Sequence, residues 1–90
     1  MFELTAIVRG KVQGVWFRSW TRETAREIGV SGWVRNLPDG SVEALARGTE
    51  EQLDRFEQRL WDGPPLARVN AVESRREPVD GPFPSFDVRR

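Results

Sequence analysis

The sequence predicts an α+β sandwich of the ferredoxin-like kind. Two helices would cross one face of an antiparallel sheet in the order βαββαβ, with a short fifth strand at the end. Three observations carry this. Apolar residues alternate with period two in several short segments. Two other segments switch to the 3.6-residue period of a helix. Turn-forming residues fall between them.

Residues 2–9 set Leu4, Ala6 and Val8 against Glu3, Thr5 and Arg9, with Ile7 breaking the pattern, and read as a strand. Residues 10–17 contain two glycines and no helical start, and read as a loop. A helix is expected over about 18–28. Phe17, Thr21, Ala25 and Ile28 form its apolar stripe, while Arg22, Glu23, Arg26 and Glu27 fall elsewhere as surface ion pairs. Gly29 supplies a C-cap. Residues 30–36 read as a second strand. Leu37-Pro38-Asp39-Gly40 is a tight turn, in which Pro sets φ and Gly accepts a positive φ. Residues 41–47 alternate Val42, Ala44 and Ala46 against Glu43 and Arg47, which completes a hairpin. Thr49 and Gln52 form a capping box, with Glu50 and Glu51 in the first turn of a second helix. Leu53, Phe56, Leu60 and Trp61 are its expected buried face, and Gly63-Pro64 its stop. A fourth strand is expected over 67–76, and a short fifth over 85–89 carrying Phe86 and Val88.

Ninety residues fit one domain, 1–90. A chain of this size buries roughly 60% of the surface its unfolded form exposes, so the core is small. The 14 basic and 14 acidic residues cancel. Broad electrostatic binding to nucleic acid or to an anionic membrane needs a basic excess, so neither partner is expected. There is no Cys and no His. That removes disulfides, thiol nucleophiles, imidazole triads and the usual zinc sites, and neither a metal nor a cofactor is expected. No apolar run approaches the roughly 20 residues of a membrane span. Met1-Phe2-Glu3-Leu4 lacks a basic region followed by a long apolar stretch, so no signal peptide is expected. The expectation is a cytoplasmic, monomeric protein. Any chemistry must come from Arg, carboxylates, amides, hydroxyls or backbone.

One segment is suited to such chemistry. Gly10-Lys11-Val12-Gln13-Gly14-Val15-Trp16-Phe17 leads into a helix expected to begin at Arg18. Glycines free the backbone to point several N–H groups one way. The helix N-terminus adds unpaired donors and partial positive charge. Arg18 adds a planar fork that matches phosphate oxygens. The Gly-Lys-Ser/Thr ending of a Walker A loop is missing. Such a loop is also often only a connection, with Arg18 a solvated helix residue. At the end of the second strand, Asn36 offers an amide that can both accept from and donate to water. Its spacing equally suits the opening of the Leu37-Pro38-Asp39-Gly40 turn. Trp16, Trp20, Trp33 and Trp61 read as packing residues, with Trp16 or Trp20 a candidate for contact with a substrate near the loop. Gln13 reads as a loop-shaping residue, and Lys11 as a solvated one.

Val8-Arg9-Gly10-Lys11-Val12-Gln13-Gly14-Val15-Trp16-Phe17-Arg18 resembles the first signature of the acylphosphatase family, whose core reads Gly-x-Val-Gln-Gly-Val-x-Phe-Arg. Gly32-Trp33-Val34-Arg35-Asn36, with the following Asp39-Gly40-Ser41-Val42-Glu43, resembles the second. Thr21, Ala25 and Gly29 also sit where the family's connecting helix places them. The resemblance implies hydrolysis of the carboxyl–phosphate anhydride of a small-molecule acyl phosphate, without metal and without a covalent intermediate. By motif position, Arg18 would bind the phosphoryl group and Asn36 would orient the attacking water. The backbone N–H groups of Gln13, Gly14, Val15, Trp16, Phe17 and Arg18 would cradle the phosphate oxygens. Two other readings stand beside it. One is an RNA-recognition domain of the same element order, whose aromatic sheet motif and basic face are missing here. The other is a non-catalytic phosphate-binding or regulatory domain of the same fold.

Overall fold

The computed structural model describes all ninety residues, Met1–Arg90. In chain order the elements are β1 (Phe2–Lys11), α1 (Phe17–Ile28), β2 (Ser31–Asn36), β3 (Val42–Gly48), α2 (Glu50–Asp62), β4 (Arg68–Pro78) and β5 (Phe86–Arg89). They build the expected ferredoxin-like sandwich. The sheet order is β4-β1-β3-β2-β5. β1 pairs antiparallel with β3 and with β4, and β2 pairs antiparallel with β3.

The fifth strand corrects the expectation of a wholly antiparallel sheet. β5 runs parallel to β2, with Gly32 opposite Phe86 and Val34 opposite Val88. The cause is the route of the chain. β4 ends beside the start of β1, where the Val79 N–H bonds the Met1 carbonyl at 3.0 Å. The connection over 79–85 then passes along that end of the sheet, and β5 sets off in the direction of β2. The opposite end therefore gathers the ends of β1, β2 and β5 and the start of α1.

Both helices lie on one face, α1 over β2 and β5, and α2 over β1 and β4. The sheet contributes small or branched side chains to the core, including Ala6, Val8, Val34, Ala44 and Ala46, and the helices contribute Phe17 and Phe56. Phe56 meets Phe86 with ring centroids 5.9 Å apart. The α1 stripe of Phe17, Thr21, Ala25 and Ile28 is buried as its period requires. On α2, Leu53, Phe56 and Leu60 are buried. Trp61 is not, and is 48% exposed. It lies about 100° round the helix from Leu60, off the stripe.

The caps follow the sequence signals. Gly29 takes φ 93° and donates to the Ala25 carbonyl, ending α1. Thr49 and Gln52 form the reciprocal capping box of α2. Gln52 also donates to the Ile28 carbonyl at 3.3 Å, which ties the two helix ends together.

Two boundaries near the loop differ from expectation. Gly10 and Lys11 belong to β1, because β4 pairs them with Val69 and Arg68 after a bulge between Arg9 and Gly10. α1 begins at Phe17, one residue early. β4 is also longer than expected. The apparent irregularity at Ile7 is a half-buried residue on the open face of the sheet, opposite Glu43 and Glu73.

Candidate active site

The connection from β1 to α1 is pinned by its apolar residues. Val12, Val15 and Phe17 are buried, while Gly14 and Trp16 between them are at the surface. Gly14 and Trp16 have φ of 74° and 67°. Backbone of this kind, with positive φ recurring at alternate residues, makes concave nests of N–H donors. No N–H from residues 13–19 is bonded to a backbone acceptor. The Trp20 N–H resumes bonding, to the Trp16 carbonyl at 3.0 Å. The loop thus presents a continuous run of free donors at the start of a helix, where anions are favoured.

Arg18, in the first turn of α1, is half-buried. Its Nη1 donates to the Arg89 carbonyl at 3.3 Å, so the end of β5 restrains the guanidinium. The Arg89 side chain in turn lies over the Trp33 ring at 4.7 Å. Sequence reasoning missed Arg89. A backbone carbonyl leaves no signature in residue type, and only the parallel pairing of β5 with β2 brings it here.

Asn36 ends β2 opposite Val42. Its Oδ1 is buried and has no hydrogen-bond partner in the protein. A buried acceptor without a partner is uncommon in a folded chain. The turn that follows is braced on both sides. Gln13 Nε2 donates to the Leu37 carbonyl at 2.8 Å and to the Ser41 carbonyl at 2.9 Å. Asp39 accepts from the Ser41 hydroxyl and from the Ser41 N–H, and these bonds hold its carboxyl below its ordinary pKa. Arg9 bridges Asp39 at 3.3 Å and Glu73 at 3.1 Å. The hydrogen bond to Glu73, foremost, raises the Arg9 pKa further.

A cavity of about 290 Å³ opens between these parts, lined by Val12, Gly14, Trp16, Phe17, Arg18, Ser19 and Asn36. It brings together Arg18, Asn36 and residues of the free-donor loop. The side chains of Gln13 and Val15 do not line it. Gln13 is the brace to the turn, and Val15 is in the core. Trp20 packs on Phe17 at 5.4 Å and lies outside the cavity. Trp16, expected to pack, is 78% exposed. No group of three or more His, Cys, Asp or Glu residues is placed to hold a metal ion. No helix is long and apolar enough to cross a membrane. A tetrahedral oxyanion facing the N–H run and a water against the Asn36 amide is chemistry that this arrangement can support.

The acylphosphatase family model matches residues 4–88. The chain belongs to the acylphosphatase family. It is 52% identical to the acylphosphatase of Nitrosococcus oceani over 84 residues, covering 92% of each chain. It is also 52% identical to that of Rubrobacter xylanophilus over 82 residues, covering 91% of this chain and 74% of the relative. The crystal structure of acylphosphatase from Bacillus subtilis superposes with a TM-score of 0.94 at 33% identity, covering 100% of both chains. Membership carries acylphosphatase enzyme activity and implies a small-molecule acyl phosphate as substrate.

Proposed function

We propose that these ninety residues form one catalytic unit that hydrolyses acyl phosphates by direct attack of water on phosphorus, with no metal and no covalent intermediate. The observation that carries this reading is the pairing of a free N–H run with a buried, unpartnered Asn36 Oδ1 on one cavity. The N–H groups of residues 13–18 and the Arg18 guanidinium bind the phosphoryl oxygens. These donors are fixed before substrate arrives, by Val12, Val15 and Phe17 in the core and by Gln13 on the turn. Fixed donors aimed at the equatorial oxygens stabilise the charge spread over them in the transition state.

The attacking water donates a hydrogen bond to Asn36 Oδ1. An amide does not accept a proton at neutral pH, so Asn36 orients the water and does not act as a base. The leaving group is a carboxylate, a weak base, and needs no strong general acid. The bond from phosphorus to the bridging oxygen breaks as the bond to water forms, giving carboxylate and inorganic phosphate. A chain without His or Cys loses nothing by this route.

Asn36→Ala tests the assignment. It should lower kcat by roughly 10²–10³, the usual cost of removing one aimed polar group. Competitive inhibition by inorganic phosphate should weaken far less. Phosphate affinity collapsing in step with kcat would place Asn36 on the phosphoryl group. Phosphate binding by the unaltered protein without turnover would favour a regulatory phosphate-binding domain.

A further inference from the structure

Trp16 occupies a position that suits it poorly on structural grounds. It is the one non-glycine residue with a positive φ, at φ 67° and ψ 19°. Glycine or asparagine is the ordinary occupant of that conformation, and a bulky side chain there is strained. It is also the most exposed large hydrophobic residue of the chain. The protein gives its indole little in exchange. Trp20 packs on Phe17 and lies beneath Arg59, and Trp33 lies beneath Arg35 and Arg89. The Trp16 ring has no aromatic or cation partner. Strain and exposure at one residue beside a cavity point to contact with a ligand.

The cavity says which part of a ligand. Its polar side chains are Arg18, Ser19 and Asn36, and Gly14, Trp16 and Phe17, whose N–H groups have no backbone acceptor, also line it. Val12 and Phe17 are apolar but buried, and Gly14 offers no side chain. Trp16 is therefore the one accessible apolar surface in the lining. With the phosphoryl group on the donors, the remainder of an acyl phosphate extends towards solvent, where this indole stands.

We propose that Trp16 is the acyl-group subsite. Its indole face stacks on the acyl portion, so the enzyme favours acyl phosphates carrying flat aromatic or extended apolar groups over those with a single methyl. The subsite rests on the reading of the cavity as a phosphoryl site given above. Flat apolar groups gain from offset stacking on an indole, whereas a methyl group covers little of it.

The experiment compares kcat/KM for benzoyl phosphate and for acetyl phosphate, with competitive inhibition by inorganic phosphate, in the unaltered protein, Trp16→Asn and Trp16→Phe. Asn tolerates the positive φ and removes the ring, while Phe keeps a ring. Differences in the inherent reactivity of the two substrates cancel between variants. Any effect on the phosphate cradle touches both substrates alike and is read separately from phosphate inhibition. The benzoyl-to-acetyl ratio should fall roughly three- to ten-fold in Trp16→Asn, the span of one aromatic pair, and stay within about two-fold in Trp16→Phe. A ratio unchanged in Trp16→Asn, or lowered as far in Trp16→Phe, overturns the subsite. Absence of phosphate inhibition in the unaltered protein, with Arg18→Gln still turning over, would instead overturn the phosphoryl reading beneath it.

Discussion

Gln13 tests whether the loop and the β2–β3 turn act as one body. Its amide donates to the Leu37 and Ser41 carbonyls at 2.8 and 2.9 Å. Gln13→Met keeps length and removes both donors. Neither carbonyl is orphaned, since Leu37 still accepts from the Gly40 N–H and Ser41 from the Leu37 N–H. The cost is therefore that of two neutral, partly exposed hydrogen bonds, about 1–2 kcal/mol, without a desolvation penalty. For a domain of this size that lowers Tm by roughly 5–15 °C. The functional loss should exceed what stability explains, because Asn36 sits next to Leu37 and the donors sit next to Gln13. Thermal unfolding by circular dichroism gives Tm, and acyl phosphate hydrolysis well below Tm gives kcat. A kcat reduced about ten-fold or more in fully folded protein is expected, since an Å-scale misplacement in a site costs up to 10². A Tm and kcat both unchanged would refute the brace.

The remaining predictions concern the supports of the site. Gly10→Ala would set a Cβ 2.0 Å from the Arg68 carbonyl oxygen, at φ 132°. Strain and overpacking together should cost about 2–5 kcal/mol, seen as a fall in Tm or loss of folded protein, and a Tm within 3 °C of the parent's would contradict the close approach. Asp39 has a lowered folded-state pKa, so its stabilising effect is present above the unfolded value of about 4 and is lost as pH falls through the folded one. The Tm gap between the parent and Asp39→Ala should thus be largest near neutrality and shrink below pH 4. A gap that grows on acidification would reverse the sign.

Local signals made most of the fold legible. The α1 stripe, the Gly29 cap, the Thr49–Gln52 box and the Pro38–Gly40 turn each depend on residues within one or two turns of chain, and each stands as the sequence implied. What was hidden depended on partners far away in sequence. Gly10 and Lys11 look like loop residues until β4, nearly 60 residues later, pairs with them. The direction of β5 follows from the path over 79–85, which no residue type announces. Trp61 was misplaced because apolar character was read without its angular position.

The candidate site was legible in its chemistry and less so in its geometry. The glycines, the helix start and Arg18 suggested an anion site but left a plain connection open. Asn36 is the residue before the turn and also lines the cavity. Its unpaired Oδ1 is a tertiary fact, as are the Gln13 brace and the Arg89 carbonyl on Arg18.

The proposed chemistry rests on Arg18 and the loop donors and uses no metal. Benzoyl phosphate hydrolysis, followed by its ultraviolet absorbance in excess EDTA, tests it with Arg18→Gln alongside. Turnover far above the spontaneous rate is expected, left intact by EDTA, with a fall in kcat/KM of roughly 10²–10³ in Arg18→Gln and the fold preserved. A folded Arg18→Gln protein keeping more than about a tenth of the parent kcat/KM, or activity abolished by EDTA, would contradict it.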